Sequence, residues 1–158
     1  MNVDIQRQME TGQQPEDPDI CRWASAAFLG DNQDTEMTVR IVDEAESAQL
    51  NQTYRHKPGP TNVLSFPFEN PPGVSLPLLG DVVICAPVVA REAGQQQKPP
   101  QAHWAHMVVH GTLHLQGYDH IAEKDAEQME HLEVDILRQL GFSNPYEPIE
   151  TNERRSIE

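Results

Sequence analysis

Three histidines and a glycine form the segment of this sequence best suited to chemistry. His110 and His114 are four residues apart, so on a helix their imidazoles share one face, roughly 6 Å apart along the axis, and both can reach one ion. Gly117 follows, and glycine readily adopts the left-handed conformation that ends a helix and turns the chain back. His120 comes three residues later. This spacing predicts a catalytic zinc site, in which His110, His114 and His120 bind one Zn²⁺ ion and leave positions for water or substrate.

Two further histidines offer alternatives to this ligand set. His106 lies one helical turn before His110 and could pair with it instead. We prefer the pair of His110 and His114, because only these two adjoin the turn that returns His120. We expect His103 and His106 to pack in the core or to support the ligands.

Hydrophobic periodicity indicates the elements that position these histidines. A central, mostly buried helix begins at the Pro99–Pro100 pair, where proline at the first helical position is tolerated. The remaining patterns predict four strands, at 2–5, 37–42, 62–68 and 80–85. They also predict two helices that begin at N-cap residues Asp19 and Asp43, and two more at 86–97 and 123–140. The sequence therefore predicts an α+β fold, with a small mixed β-sheet of about four strands packed with about five helices.

The length of 158 residues suits a single domain with a buried core. We assign residues 1–142 to one catalytic metallo-domain and residues 143–158 to a polar, flexible C-terminal tail, because apolar periodicity ends at Phe142. No apolar run approaches the length of a membrane span, and no secretory signal is recognisable, so a cytoplasmic location is expected.

Acidic residues are distributed unevenly along the chain. The net charge of -14 argues against nonspecific binding to nucleic acids or anionic membranes. No acid lies between Glu46 and Glu69 or between Glu92 and Asp119, so these two windows would form a neutral-to-positive cleft if they face each other. Alternatively, both lack acids because they are buried. Arg55, in the first window, is a candidate to grip a phosphate group in a bidentate manner.

The frame His-x3-His-x2-Gly-x2-His is shared with the metzincin proteases, with one difference. Those enzymes carry a glutamate directly after the first histidine, as the base that activates water, whereas Gly111 stands there in this chain. A metzincin-like zinc site is therefore expected without metzincin chemistry. A metalloprotease-like amide hydrolase with Asp119 or Asp81 as base is one alternative, although Asp119 could simply cap the turn. A noncatalytic protein, in which zinc only locks the turn, is another.

Four segments resemble the YbeY family of bacterial, metal-dependent endoribonucleases: YRHK at 54–57, PTNVLSFPF at 60–68, LGDVVIC at 79–85 and HWAHMVVHGTLHLQGYDH at 103–120. The similarity runs from about residue 37 to residue 145. It implies that the three histidines of the motif bind zinc and that Arg55 is essential, so Arg55 and His110 are the expected catalytic residues. It also implies single-strand-specific RNA cleavage, maturation of the 3′ end of the small-subunit ribosomal RNA, and ribosome quality control. With this resemblance, the noncatalytic alternative is a zinc-stabilised ribosome-assembly factor.

The implied substrate is single-stranded ribosomal RNA, which proteins grip through phosphate contacts and aromatic stacking. The low basicity indicates weak intrinsic RNA affinity, with specificity supplied by the ribosome or its associated proteins. No membrane or DNA partner is expected. Four rings are possible stacking platforms, although a tryptophan in an apolar helix is more often a core residue: Tyr54, His56, Trp104 and Tyr118.

Overall fold

The computed structural model describes residues 1–10, 12–119 and 123–146. Within these residues the chain forms four strands and five helices, which confirms the predicted α+β class. In chain order the elements are β1 (Asn2–Arg7), α1 (Asp17–Ala27), β2 (Glu36–Val42), α2 (Glu44–Arg55), β3 (Val63–Pro67), β4 (Leu78–Cys85), α3 (Ala86–Gln95), α4 (Pro100–Leu115) and α5 (Glu123–Gln139). None of the helices in these ranges is both long and apolar enough to cross a membrane.

The four strands form one mixed sheet in the order β1-β2-β4-β3. The β1–β2 and β2–β4 pairs are parallel, and β3 pairs antiparallel with β4 at the edge of the sheet. Strand β2 forms because Met37, Val39 and Ile41 alternate with polar residues, and all three are buried on one face. Edge strand β3 tolerates Pro67, which cannot donate a ladder hydrogen bond.

Helix α4 is the central helix that the sequence predicted. Pro99 is its N-cap and Pro100 its first residue, so the proline ring removes no intrahelical hydrogen bond. The helix lies very close to the sheet at Gly111: a Cβ there would be 2.6 Å from Val82 Cγ1, inside van der Waals contact. Ser65 on β3 donates a hydrogen bond to the Gly111 carbonyl at 3.2 Å. Gly111 therefore allows α4 to press against the two strands that border the site.

The start of α1 differs from the prediction. Asp43 caps α2 as expected, accepting from the Glu46 N–H at 2.9 Å. Helix α1, however, begins at Asp17 after an N-cap at Glu16, so Asp19 lies within the first turn and the predicted cap was wrong. Pro18 explains the earlier start, because its fixed φ suits the first turn of a helix.

Candidate metal centre

His110 and His114 lie side by side on α4. Their ring centroids are 4.7 Å apart and their planes are inclined at 75°. Two imidazoles that bind one zinc ion through nitrogen at about 2.1 Å have ring centres about 5 Å apart, so the separation of the two rings is compatible with a shared ion. Both rings line a cavity of about 650 Å³, which we call the histidine cleft.

The turn after α4 has the predicted conformation. Gly117 has φ of +99°, in the left-handed region, directly after the C-cap residue Gln116. Its N–H donates to the His114 carbonyl at 3.0 Å, and the Tyr118 N–H reaches back to the Leu113 carbonyl at 3.3 Å. The chain thus reverses immediately after the histidine pair. His120, the predicted third ligand, lies outside the described residues and stays a prediction.

A buried carboxylate stands behind the pair. Glu133, on α5, is fully buried and accepts hydrogen bonds from His110 Nδ1 at 2.6 Å and from His106 Nε2 at 2.9 Å. Burial alone would raise the pKa of the Glu133 carboxyl, but the hydrogen bonds and charges of the two imidazoles lower it from 4.5 to about 2. The Tyr146 hydroxyl also donates to this carboxylate. Burial of the tyrosine and its hydrogen bond to Glu133 both raise the pKa of Tyr146 well above 10. Glu133 is therefore an ionised acid held by three donors.

His106, His110 and Glu133 place one ligand atom each within 4.8 Å of the others, so this cluster could itself hold a metal ion. Sequence reasoning gave His106 a supporting role and missed both Glu133 and Tyr146. A signal for Glu133 did exist, because it is an acid on the buried face of α5 between Met129 and Ile136. Tyr146 lies beyond the boundary predicted at residue 142, and residues 147–158 of the predicted tail lie outside the described residues.

The two acid-free windows face each other across the histidine cleft. Residues 54–55 and 61–66 form one side, α4 contributes His106, Met107, His110 and His114, and Tyr146 completes the lining. Within the described ranges no aspartate or glutamate lines the cleft. The predicted cleft is present, but most of the second window lies in buried α4, so burial also explains why that window lacks acids.

Arg55 lies where the sequence placed it, at the edge of this cleft. It is the last residue of α2, and His56 follows in the left-handed conformation with φ of +58°. Arg55 is exposed, and among the residues that the structure describes no carboxylate forms an ion pair with it. The guanidinium is therefore available to an anionic ligand in the cleft.

The aromatic side chains divide into cleft and core residues. Tyr54 is 61% exposed, lines the cleft and packs edge-on against Phe66 with centroids 5.1 Å apart. Trp104 is 1% exposed and belongs to the hydrophobic core, so it cannot be a stacking platform. Tyr118 is half-buried against the same core. Tyr54 is the platform candidate that the geometry supports.

The packing at Gly111 explains why the metzincin glutamate is missing. Any side chain there would meet the buried Val82 on β4, so this position cannot present a carboxylate to the cleft. Asp81 lines a different cavity, together with Asn2 and Phe68, and is not positioned as a base for the histidine pair. The geometry therefore disfavours the alternative of an amide hydrolase that uses Asp81.

Comparisons with known proteins match the chain to a family model and to solved structures. The family model described as Endoribonuclease YbeY matches residues 7–141. A solution structure of the protein TM1509 from Thermotoga maritima is similar in fold, with a TM-score of 0.52 and 23% sequence identity. The match covers 96% of this chain and 99% of that chain.

Proposed function

Since the chain belongs to the YbeY family of endoribonucleases, we propose that it is a zinc-dependent endoribonuclease that cleaves single-stranded RNA. The observation that carries this proposal is the histidine cleft, in which an exposed arginine and two adjacent imidazoles line one cavity that has no aspartate or glutamate among its described lining residues. The charges of Arg55 and of a bound zinc ion would outweigh the buried Glu133 carboxylate and attract the phosphodiester backbone in spite of the overall negative charge of the protein.

In this proposal His110 and His114 bind the zinc ion together with His120. The fit is supported by the separation of the two rings and by the Gly117 turn, which reverses the chain toward the pair. A bound zinc ion supplies Lewis-acid chemistry, which polarises a phosphoryl oxygen and acidifies water. With Glu133 behind His110, the ring keeps one orientation relative to the cleft.

Arg55 has the role of an anion clamp. Its five donors in a planar fork match two oxygens of a phosphate, and it does not have to give up an ion pair with a described residue to make that contact. Negative charge increases on these oxygens as the phosphodiester reacts, so the contact is strongest in the transition state. Arg55 therefore acts mainly on kcat.

Tyr54 provides the preference for single strands. Its exposed ring and Arg55 both line the cleft, and the ring packs edge-on against Phe66. A nucleotide base can stack on the Tyr54 ring only if it unstacks from the neighbouring bases of the RNA. Stacking of one base on an aromatic side chain contributes about 1–3 kcal/mol to binding. A duplex would first have to be opened.

The family and the chemistry together support ribosomal RNA as the substrate. The proposed roles are maturation of the 3′ end of the small-subunit ribosomal RNA and ribosome quality control, both in the cytoplasm. The net charge of -14 leaves little long-range attraction for RNA, so we propose that the ribosome or ribosome-associated proteins deliver the substrate.

The test compares Arg55→Ala and Arg55→Lys with a matched surface variant, Arg91→Ala. Arg91 is half-exposed and pairs only with Glu44 at 3.3 Å among the described residues, so its loss should not affect cleavage. Cleavage of a single-stranded RNA and of the same sequence in a duplex is measured on highly purified protein, together with zinc content.

We expect Arg55→Ala to lower kcat by about 100- to 1,000-fold at unchanged zinc content. Arg55→Lys should recover only a small part of the activity, because an ammonium group cannot form the bidentate contact. Full activity of Arg55→Ala would refute the clamp. Failure of the wild-type protein to cleave RNA would favour the noncatalytic alternative.

A further inference from the structure

The buried carboxylate behind the histidine pair touches one proposed ligand directly. We propose that Glu133 is a positioning residue for the metal site: it holds His110 by Nδ1, so that Nε2 is the nitrogen offered to the ion. This inference rests on the metal site of the proposed function, and it assigns a role to α5, which contributes no predicted ligand.

The hydrogen bond determines which nitrogen of His110 carries the proton. The Glu133 carboxylate is fully buried, and its Oε2 lies 2.6 Å from His110 Nδ1 while its Oε1 faces the donors of His106 and Tyr146. The ring must therefore donate from Nδ1, and a neutral imidazole protonated at Nδ1 has its lone pair at Nε2. A carboxylate in this position fixes the ring orientation and makes the opposite nitrogen a stronger ligand.

The distances in the cluster fit hydrogen bonds better than shared coordination. Two atoms bound to one tetrahedral zinc ion at about 2.1 Å lie about 3.4 Å apart. The Glu133 oxygens lie only 2.6 Å from His110 Nδ1 and 2.9 Å from His106 Nε2, which are ordinary hydrogen-bond lengths. The cluster of His106, His110 and Glu133 is therefore a support for the ligands rather than the ligand set.

The second oxygen of the Glu133 carboxylate accepts hydrogen bonds from other residues, so each oxygen has its own partners. His106 Nε2 and the Tyr146 hydroxyl both donate to Oε1, which leaves Oε2 for His110. The Tyr146 ring also packs edge-on against His106 with centroids 5.4 Å apart. The segment that follows α5 thus returns to the site and fixes the acid that orients the ligand.

The decisive measurement uses wild-type protein. Nitrogen NMR of ¹⁵N-labelled protein, with and without one equivalent of Zn²⁺, reports which imidazole nitrogen is protonated and which binds the ion. We expect His110 to keep a proton on Nδ1 and to bind zinc through Nε2, and His106 to bind no zinc. Zinc on His110 Nδ1, or zinc on His106, would overturn the proposal.

Variants of the full chain give a second, independent readout. Zn²⁺ affinity is measured by competition with a chelator, and melting of the zinc-free proteins shows that they fold. We expect Glu133→Gln to weaken zinc binding about 10- to 100-fold, because the amide cannot accept from both imidazoles. Glu92→Gln is the matched control: it removes a carboxylate that hydrogen-bonds His103, an α4 histidine that is not a proposed ligand, and it should leave zinc affinity close to that of the wild type.

The outcomes separate the inference from the proposed function. Wild-type zinc affinity in Glu133→Gln would overturn the positioning role and leave the zinc site intact. Equal losses in Glu133→Gln and Glu92→Gln would also overturn it, because they would show a general disturbance of α4 rather than a loss of His110 positioning. Absence of zinc binding in the wild type would contradict the proposed metal site itself.

Discussion

Replacing Gly111 with alanine tests the contact that sets the distance of the histidine helix from the sheet. The new Cβ would lie 2.6 Å from Val82 Cγ1 and 3.0 Å from Cγ2. Val82 is fully buried on β4, so its methyl groups have little room to move away. Overpacking costs about 1–3 kcal/mol, while the better helix propensity of alanine returns about 1 kcal/mol. We therefore expect a net loss of about 1 kcal/mol in the free energy of unfolding.

Two companion variants isolate the clash from the effect of glycine. Gly94 is an exposed residue of α3 and an added Cβ there meets nothing within 4 Å, so Gly94→Ala should stabilise the protein by up to about 1 kcal/mol. Val82→Ala removes the atoms that the new Cβ would hit and should cost about 2 kcal/mol alone. In the double variant with Gly111→Ala, the loss should be smaller than the sum of the single losses by about 1 kcal/mol or more.

Urea denaturation of the four variants and the wild type, with and without zinc, measures these differences. If Gly111→Ala is stabilised as much as Gly94→Ala, the close approach of α4 to the sheet is refuted. Additive effects of Gly111→Ala and Val82→Ala would refute the specific contact. Either result would also remove our physical explanation for the missing metzincin glutamate.

Two further predictions concern parts of the fold away from the cleft. Gln97 follows α3 with φ of +57°, a left-handed conformation that favours glycine, so Gln97→Gly should raise the free energy of unfolding by about 0.5–1 kcal/mol. The control Gln96→Gly, at an ordinary φ of -90°, should lower the free energy of unfolding. The reverse order of the two variants in urea denaturation would contradict this prediction. Burial lowers the pKa of His103 below 6.5, although its hydrogen bond to Glu92 opposes the shift. As the pH falls, the His103 side chain is therefore protonated in the unfolded chain before it is protonated in the folded protein. The free energy of unfolding of the wild type should thus decrease as the pH drops below 6.5. His103→Gln should flatten that part of the stability profile, and parallel profiles for the two proteins would show the attribution to be wrong.

Local patterns were sufficient for the elements and for the turn beside the site. Strict alternation in β2, an apolar circumference in α4 and a glycine after the histidine pair each determine conformation within a few residues. The cap of α1 was misplaced because Pro18 and Asp19 both favour a helix start, and only the fixed φ of proline specifies where the first turn lies.

The support behind the ligands could not be predicted in the same way. Glu133 and His110 are 23 residues apart in the sequence, and their contact depends on how α5 packs against α4. Tyr146 belongs to a polar segment without periodicity, so no pattern indicated that it returns to the cleft. A buried acid on an apolar helix face is nevertheless a usable signal, because such a carboxylate requires partners.

The central claim is that RNA cleavage depends on a zinc ion held by the histidines next to the Gly117 turn. Zinc content and single-stranded RNA cleavage, measured on one wild-type preparation through chelation and stepwise reloading, test it most directly. We predict that cleavage disappears with the ion and returns in proportion to zinc, reaching its maximum at one ion per chain. Cleavage that persists in zinc-free protein, or a fully reloaded protein that does not cleave, would contradict the claim.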